Sequence, residues 1–253
     1  MLAPLDLPSD VAVVPGQLDG RRVLVVGAAG GLGRAVCEAA GAAGATVVLL
    51  GRKVPKLEAI YDALVAAGAP KPAIYPLDLS GASPHDYLAM ANTLNDQLGG
   101  LDGVVLAQAD FDARRPSVQI DPNVWLRQLH VNLAASWLII RYCLPLLLES
   151  SHGRIVGVLD DPDRIRAPWW GAYGVAQGGL EVMLSALAAE FANSTLRVHA
   201  LDPGKMATPL RAKAYMAEVD GEPLAPARVA AACVYALAAG ADTAPALIRC
   251  GAS

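Results

Sequence analysis

Short runs rich in Val, Leu and Ile alternate with helical stretches from Arg21 to Cys250, and no long linker interrupts the alternation. The strand-like runs are Arg21–Val26, Thr46–Leu50, Ala73–Pro76, Leu101–Ala107, Arg154–Leu159, Leu196–Leu201 and Ala246–Cys250. Between them Gly31–Ala43, Lys53–Ala67, Pro84–Leu98, Pro122–Glu149, Tyr173–Ala192 and Ala225–Ala239 read as helices. Strands that are apolar throughout, separated by helices, imply βαβ units and a parallel sheet covered on both faces. The pattern therefore predicts an α/β protein with a single doubly wound parallel sheet of about seven strands, flanked by helices on both faces. Residues 21–253 form one domain on this reading. Residues 1–20, with three prolines and no clear period, read as an N-terminal surface arm.

Composition narrows the function classes. At 54% hydrophobic and 5% aromatic residues, the chain has ample apolar surface for a core built from Ala, Val and Leu, which excludes a disordered chain. A net charge of −4 with no basic run disfavours a nucleic-acid surface, since phosphate binding needs clustered cations. Cys37, Cys143, Cys233 and Cys250 are far apart and form no CxxC pair, so they read as reduced buried thiols and not as metal ligands. The start, MLAPLDLPSD, lacks the basic and apolar regions of a leader. The most apolar stretch, Trp137–Leu148, is interrupted by Arg141 and falls short of a bilayer span. A cytoplasmic protein without membrane or nucleic-acid partners is expected.

The first strand runs directly into Val26-Gly27-Ala28-Ala29-Gly30-Gly31-Leu32-Gly33, and a helix follows at once. In a βαβ unit this is where a diphosphate sits, because glycines permit the tight turn and the helix N-terminus faces the anion. At the end of the second strand an NAD site places an acidic residue against the ribose hydroxyls. This chain has Gly51-Arg52-Lys53 there, two cations able to pair a 2′-phosphate. The pattern favours NADP(H) over NAD(H). Asp78, after the third strand, can accept a hydrogen bond from the adenine amino group.

On these residues the chain, over roughly 20–253, resembles the short-chain dehydrogenase/reductase family, whose fold is the Rossmann fold. Gly27, Gly31 and Gly33 match its spaced glycines, with Leu32 between them. Asn132 falls where the family has its structural and proton-relay asparagine, and Tyr173 where its catalytic tyrosine opens a helix. Pro203 and Gly204 end the sixth strand, and Thr208 matches the residue that binds the nicotinamide carboxamide. The strings GRKVPKLEAI, VWLRQLHVNL, LPLLLES and WWGAYG are most similar to the bacterial YciK-like subgroup.

The resemblance breaks at the chemistry. The family's Tyr-x-x-x-Lys pair reads Tyr173-Gly174-Val175-Ala176-Gln177, and its serine, thirteen residues before the tyrosine, is Asp160. The family's Asn-Ala-Gly turn reads Gln108-Ala109-Asp110. In the family the lysine lowers the tyrosine pKa and holds the nicotinamide ribose, while the serine polarises the substrate carbonyl. Gln177 can hydrogen-bond a ribose hydroxyl but carries no charge, and an ionised Asp160 would raise the tyrosine pKa. One alternative makes Asp160 a neutral donor with Lys205 as a substitute cation; the other makes Asp160 and Asp161 a solvated loop paired with Arg154, Arg164 or Arg166. His130 reads as a packed or surface histidine; Trp169 and Trp170 line a cleft, a helix edge or a dimer contact. The resemblance thus implies an NADP(H)-binding oxidoreductase homologue with impaired or altered Ser-Tyr-Lys chemistry on a small-molecule carbonyl or alcohol. The alternative is a catalytically silent dinucleotide-binding regulator or partner subunit. A homodimer or homotetramer packed through the Pro122–Glu149 and Tyr173 helices is also implied.

Overall fold

In the computed structural model, residues 2–8, 10–215, 223–240 and 243–251 are described. Eight strands form one sheet: β1 (Ala3–Asp6), β2 (Arg22–Val26), β3 (Thr46–Gly51), β4 (Ala73–Pro76), β5 (Gly103–Leu106), β6 (Arg154–Val158), β7 (Arg197–Asp202) and β8 (Ala246–Arg249). Their order is β1-β8-β7-β6-β5-β2-β3-β4, every pair parallel. The order reverses between β2 and β5, and a doubly wound sheet opens its ligand crevice at the carboxyl ends of the strands flanking such a point.

Helices α1 (Gly31–Ala42), α2 (Val54–Ala66) and α9 (Pro226–Ala238) cover one face. The other face carries α3 (Pro84–Leu98), α5 (Ala135–Glu149) and α7 (Gly171–Glu190). α4 (Pro122–Leu129), α6 (Pro162–Ile165) and α8 (Pro209–Ala214) sit around the crevice. The central strands β2 and β5 bury Val23–Val26 and Val104–Leu106 between two apolar layers, as their unbroken apolar runs required.

Two expectations change in detail. The described part of the N-terminal arm lies at the surface but is joined to the sheet and to α9. β1 extends the sheet beside β8, Leu18 is fully buried, and Arg228 of α9 donates to the Val11 carbonyl at 3.0 Å. β1 is exposed along both faces, so it carries no inward–outward alternation to betray it. The long helix Pro122–Glu149 is also not uniform: a π-helical turn, His130–Ala134, joins α4 to α5. This rod of 28 residues is by length and composition able to cross a bilayer, contrary to the shorter count from Trp137. In the fold it lies against the sheet, with Ile139, Cys143 and Leu147 fully buried.

The amino end of β6 and the middle of β7 hold an unusual polar pair. Arg154 is 1% exposed and donates to the main-chain carbonyls of Ala239 (2.9 and 2.6 Å), Thr195 (3.0 Å) and Gly153 (2.6 Å). His199 is equally buried, and neither ring nitrogen has a hydrogen-bond partner among the described residues. Burial, then the charges of Arg154 and Arg197, push its pKa from 6.5 down to about 4. The unfolded chain therefore binds a proton that the fold excludes. Stability contributed by neutral His199 is intact above about pH 6.5 and falls, by on the order of 3 kcal/mol, as pH drops towards 4. We expect His199→Leu to flatten the decline of Tm between those pH values; an unaltered slope would assign the decline to other groups.

Candidate active site

The crevice begins at the end of β2. Gly27 turns the chain at φ +78°, and a Cβ there would lie 2.8 Å from the Gln108 backbone. A Cβ on Gly33 would come within 2.1 Å of the Gly27 carbonyl oxygen, so helix and strand approach too closely for any side chain. Gly30 is the N-cap of α1, and no side chain caps that first turn. The free N–H groups around Gly31 and Leu32 and the positive helix end form an anion-receptive floor.

Above this floor lies a cavity of about 300 Å3, lined among others by Gly27, Arg52, Lys53, Lys56, Asp78 and Gln108. Arg52 and Lys53 occupy the turn after β3, where the sequence placed them, and Lys56 follows one turn into α2. Ser80 donates to Asp78 Oδ1 from its backbone N–H at 3.0 Å and its hydroxyl at 2.8 Å. These bonds, with a smaller contribution from Arg52, hold the Asp78 carboxyl below the usual carboxylate range, and its Oδ2 is left to accept from a ligand. Gln108 Nε2 donates to Ser136 at 2.7 Å, while Gln108 Oε1 is buried with no partner. Arg127 of α4 also lines the cavity and is held by Asp110 at 2.8 Å.

Asn132 lies in the π-turn, 2% exposed. Its Oδ1 accepts from the Asp110 N–H at 2.7 Å and its Nδ2 donates to the Asp110 carbonyl at 2.8 Å. The side chain thus pairs with the loop after β5 as a neighbouring strand would, and fixes Gln108 to Asp110 along the cavity wall. Pro203 and Gly204 follow β7, with Gly204 at φ +62° donating to Asp202 at 2.9 Å. Thr208 is the N-cap of α8, accepting from the Arg211 N–H at 3.3 Å, and its methyl faces Gly31. Thr208 thus stands across the start of α1, and none of the three residues lines the cavity itself.

The reactive half is built differently. Tyr173, on the first turn of α7, is 3% exposed and its ring is enclosed by Phe111 at 5.3 Å and Trp170 at 5.8 Å between centroids. Trp170 in turn packs on Tyr215 at 5.5 Å. The Tyr173 hydroxyl donates to Asp160 Oδ2 at 3.1 Å. Burial, and then the Asp160 charge and hydrogen bond, push the tyrosine pKa well above its usual value. Burial likewise raises Asp160, against bonds from the Asp161 N–H and Tyr173 that lower it. Gln177, one turn along α7 and 4% exposed, has its Oε1 buried without a partner among the described residues.

Asp160 is mostly buried and not part of a solvated loop. It is the acceptor of Tyr173. Asp161 pairs with Arg164, one of the expected partners, at 2.9 Å, and Arg154 is at the opposite end of the sheet. Lys205 lines a separate groove with Thr208, Arg211 and Tyr215. His130 is half-buried in the π-turn, and Trp169 is half-exposed at φ +78°. Residues 216–222 lie outside the described ones. Sequence reasoning missed Lys56, which the i, i+3 spacing from Lys53 could have exposed, and Phe111 and Tyr215, for which no local pattern exists.

Residues 21–218 match the family model described as short chain dehydrogenase. The oxidoreductase YciK of Escherichia coli K12 is 31% identical over 201 residues, covering 79% of each chain. Among solved structures, a short-chain dehydrogenase from Pseudomonas syringae superposes with TM-score 0.89 at 32% identity, over 96% of this chain and 99% of that one. One from Shigella flexneri 2a, complexed with NADP, gives 0.87 at 28% identity over 94% and 99%. Matched in sequence along most of its length and in fold along nearly all of it, the chain belongs to the short-chain dehydrogenase family.

Proposed function

We propose that this protein is an NADP(H)-binding oxidoreductase homologue in which the cofactor half of the site is retained and the Ser-Tyr-Lys chemistry is impaired. Its own residues fit the cofactor. The uncapped start of α1 suits a diphosphate, and Arg52, Lys53 and Lys56 surround the place for a 2′-phosphate. Gln108 Oε1 and Gln177 Oε1 are buried acceptors awaiting donors, which ribose hydroxyls would supply. The similar Shigella protein, complexed with NADP, supports the same reading. When bound, the cofactor supplies or accepts a hydride at its nicotinamide ring.

One observation carries the impairment: the Tyr173 hydroxyl is turned onto Asp160, and its ring is packed by Phe111 and Trp170. Reduction of a carbonyl needs that proton delivered to substrate, and the reverse reaction needs the tyrosinate. A raised pKa in a closed apolar pocket opposes both. The same observation favours, as second reading, a silent dinucleotide-binding regulator or partner subunit. Calorimetric titration with NADPH and NADH, followed by a carbonyl and alcohol turnover screen, tests the proposal. Tight NADPH binding with turnover far below ~1 per second supports it, since ordinary enzymes work at or above that rate; ordinary turnover refutes it.

Assembly as a homodimer or homotetramer belongs to the same proposal. Trp137 of α5 is 50% exposed, and Val175 and Val182 of α7 are 55% and 70% exposed. Large apolar side chains in that number on two neighbouring helices fit a covered surface. Light scattering at micromolar protein should give a mass of at least twice 26.1 kDa; a monomer mass would remove this part of the proposal.

A further inference from the structure

The charged side chains lining the cofactor cavity are Arg52, Lys53, Lys56 and Arg127, against Asp78 and Asp110. Asp78 has Ser80 and the nearby Arg52 to stabilise its charge. Asp110 has Arg127, whose Nε donates to its Oδ2 at 2.8 Å. Asp112 also acts on Arg127, but is itself paired with Arg115 at 3.1 Å. Among the described residues no second cation pairs with Asp110.

The usual reasons for such a pair are met by other groups. The Asp110 backbone is fixed already, because Asn132 accepts from its N–H at 2.7 Å and donates to its carbonyl at 2.8 Å. Nor does Arg127 complement a helix end, since the π-turn His130–Ala134 carries α4 straight on into α5. Both side chains are partly exposed, and an ion pair of that kind adds little stability. What the pair does set is the charge met by an occupant. Without Arg127, the Asp110 carboxylate would stand bare in the wall of a cavity whose floor receives a diphosphate. Charges lining one cavity of about 300 Å3 act on the same occupant, because screening at physiological salt sets in only beyond about 8 Å.

We propose that Arg127 is a specificity-determining residue for the cofactor: it cancels the Asp110 carboxylate and so admits a ligand carrying several phosphate charges. The inference rests on the dinucleotide reading of this cavity, and adds to it the residue that decides how much negative charge the site accepts. NADPH carries one phosphate more than NADH and is the more sensitive of the two.

The test is a set of four full-length proteins titrated calorimetrically with NADPH and NADH. At this pair Arg127→Leu leaves an excess negative charge and Asp110→Asn an excess positive one, while the double variant is neutral like the unaltered protein. Arg127→Leu should weaken NADPH roughly tenfold and NADH less, through the repulsion of one uncancelled carboxylate. Asp110→Asn should tighten NADPH, and the double variant should return to within about threefold of the unaltered protein. Arg127→Lys, which keeps the charge, should stay close to it as well. In ~1 M salt, where the screening length falls to about 3 Å, the spread among the four should collapse. A pair with a merely structural role would behave otherwise: both single variants would weaken binding, the double variant would recover nothing, and salt would not narrow the gap. Absence of nucleotide binding to the unaltered protein overturns the cofactor reading and this inference with it. Binding that Arg127→Leu leaves intact, or that Asp110→Asn fails to restore in Arg127→Leu, overturns this inference alone.

Discussion

Asp160→Ser combined with Gln177→Lys should raise NADPH-dependent reduction of an activated carbonyl by about 10²-fold or more over the product of the two single effects, within the range of positioned acid–base catalysis. Each single change leaves one obstacle. With Gln177→Lys alone, the new ammonium faces the Asp160 carboxylate, and the two charges offset each other beside Tyr173. With Asp160→Ser alone, the hydroxyl is released from its acceptor, but burial still raises the tyrosine pKa and no cation opposes it. At an unperturbed pKa near 10, roughly one tyrosine in a thousand is ionised at pH 7, and burial makes that fraction smaller. Groups that act as one unit are strongly non-additive, and the excess in the double variant is the quantity to measure. Matched Tm values are required, because a buried unpaired ammonium destabilises a fold by several kcal/mol (roughly 3–5). A double variant that binds NADPH and stays inert would move the lesion to the aromatic enclosure of Phe111, Trp170 and Tyr215.

The second large effect concerns the 2′-phosphate. Arg52→Asp should weaken NADPH by roughly 10–100-fold and leave NADH within a few-fold, because a charge-assisted pair contributes about 1.5–3 kcal/mol. Lys53 and Lys56 remain on the same wall, so binding is reduced and not abolished. Lys56→Glu should act in the same direction with a smaller effect, since a flexible ammonium binds phosphate as a point charge. Calorimetry with both nucleotides decides the matter; an unmodified protein that binds NADH as tightly as NADPH contradicts the assignment of Arg52.

What could be read in advance was local in sequence. The β2–Gly27–α1 turn, Arg52–Lys53 and the strand–helix alternation each lie within a few consecutive residues, so periodicity and turn chemistry expose them. The reactive half was legible only as a set of replacements. Asp160 and Gln177 stood at the right spacing, but whether Asp160 would donate, ionise in solvent or accept depended on burial. Its partner Tyr173 is in turn packed by Phe111 and Trp170, with Tyr215 on Trp170, residues that lie on three separate loops or helix edges.

The edge strand carries a consequence for biosynthesis. Ala3 to Asp6 pair with Ala246 to Arg249, partners more than 240 positions away. A ribosome adding about 5–20 residues per second leaves the first strand waiting some 10–50 seconds before its partner exists. β1 is exposed along both faces even when paired, so the waiting segment offers chaperones and neighbouring nascent chains little apolar surface. The sheet is then closed last at this edge, by main-chain hydrogen bonds more than by side-chain burial, and β1 is the strand most easily shed without disturbing the crevice.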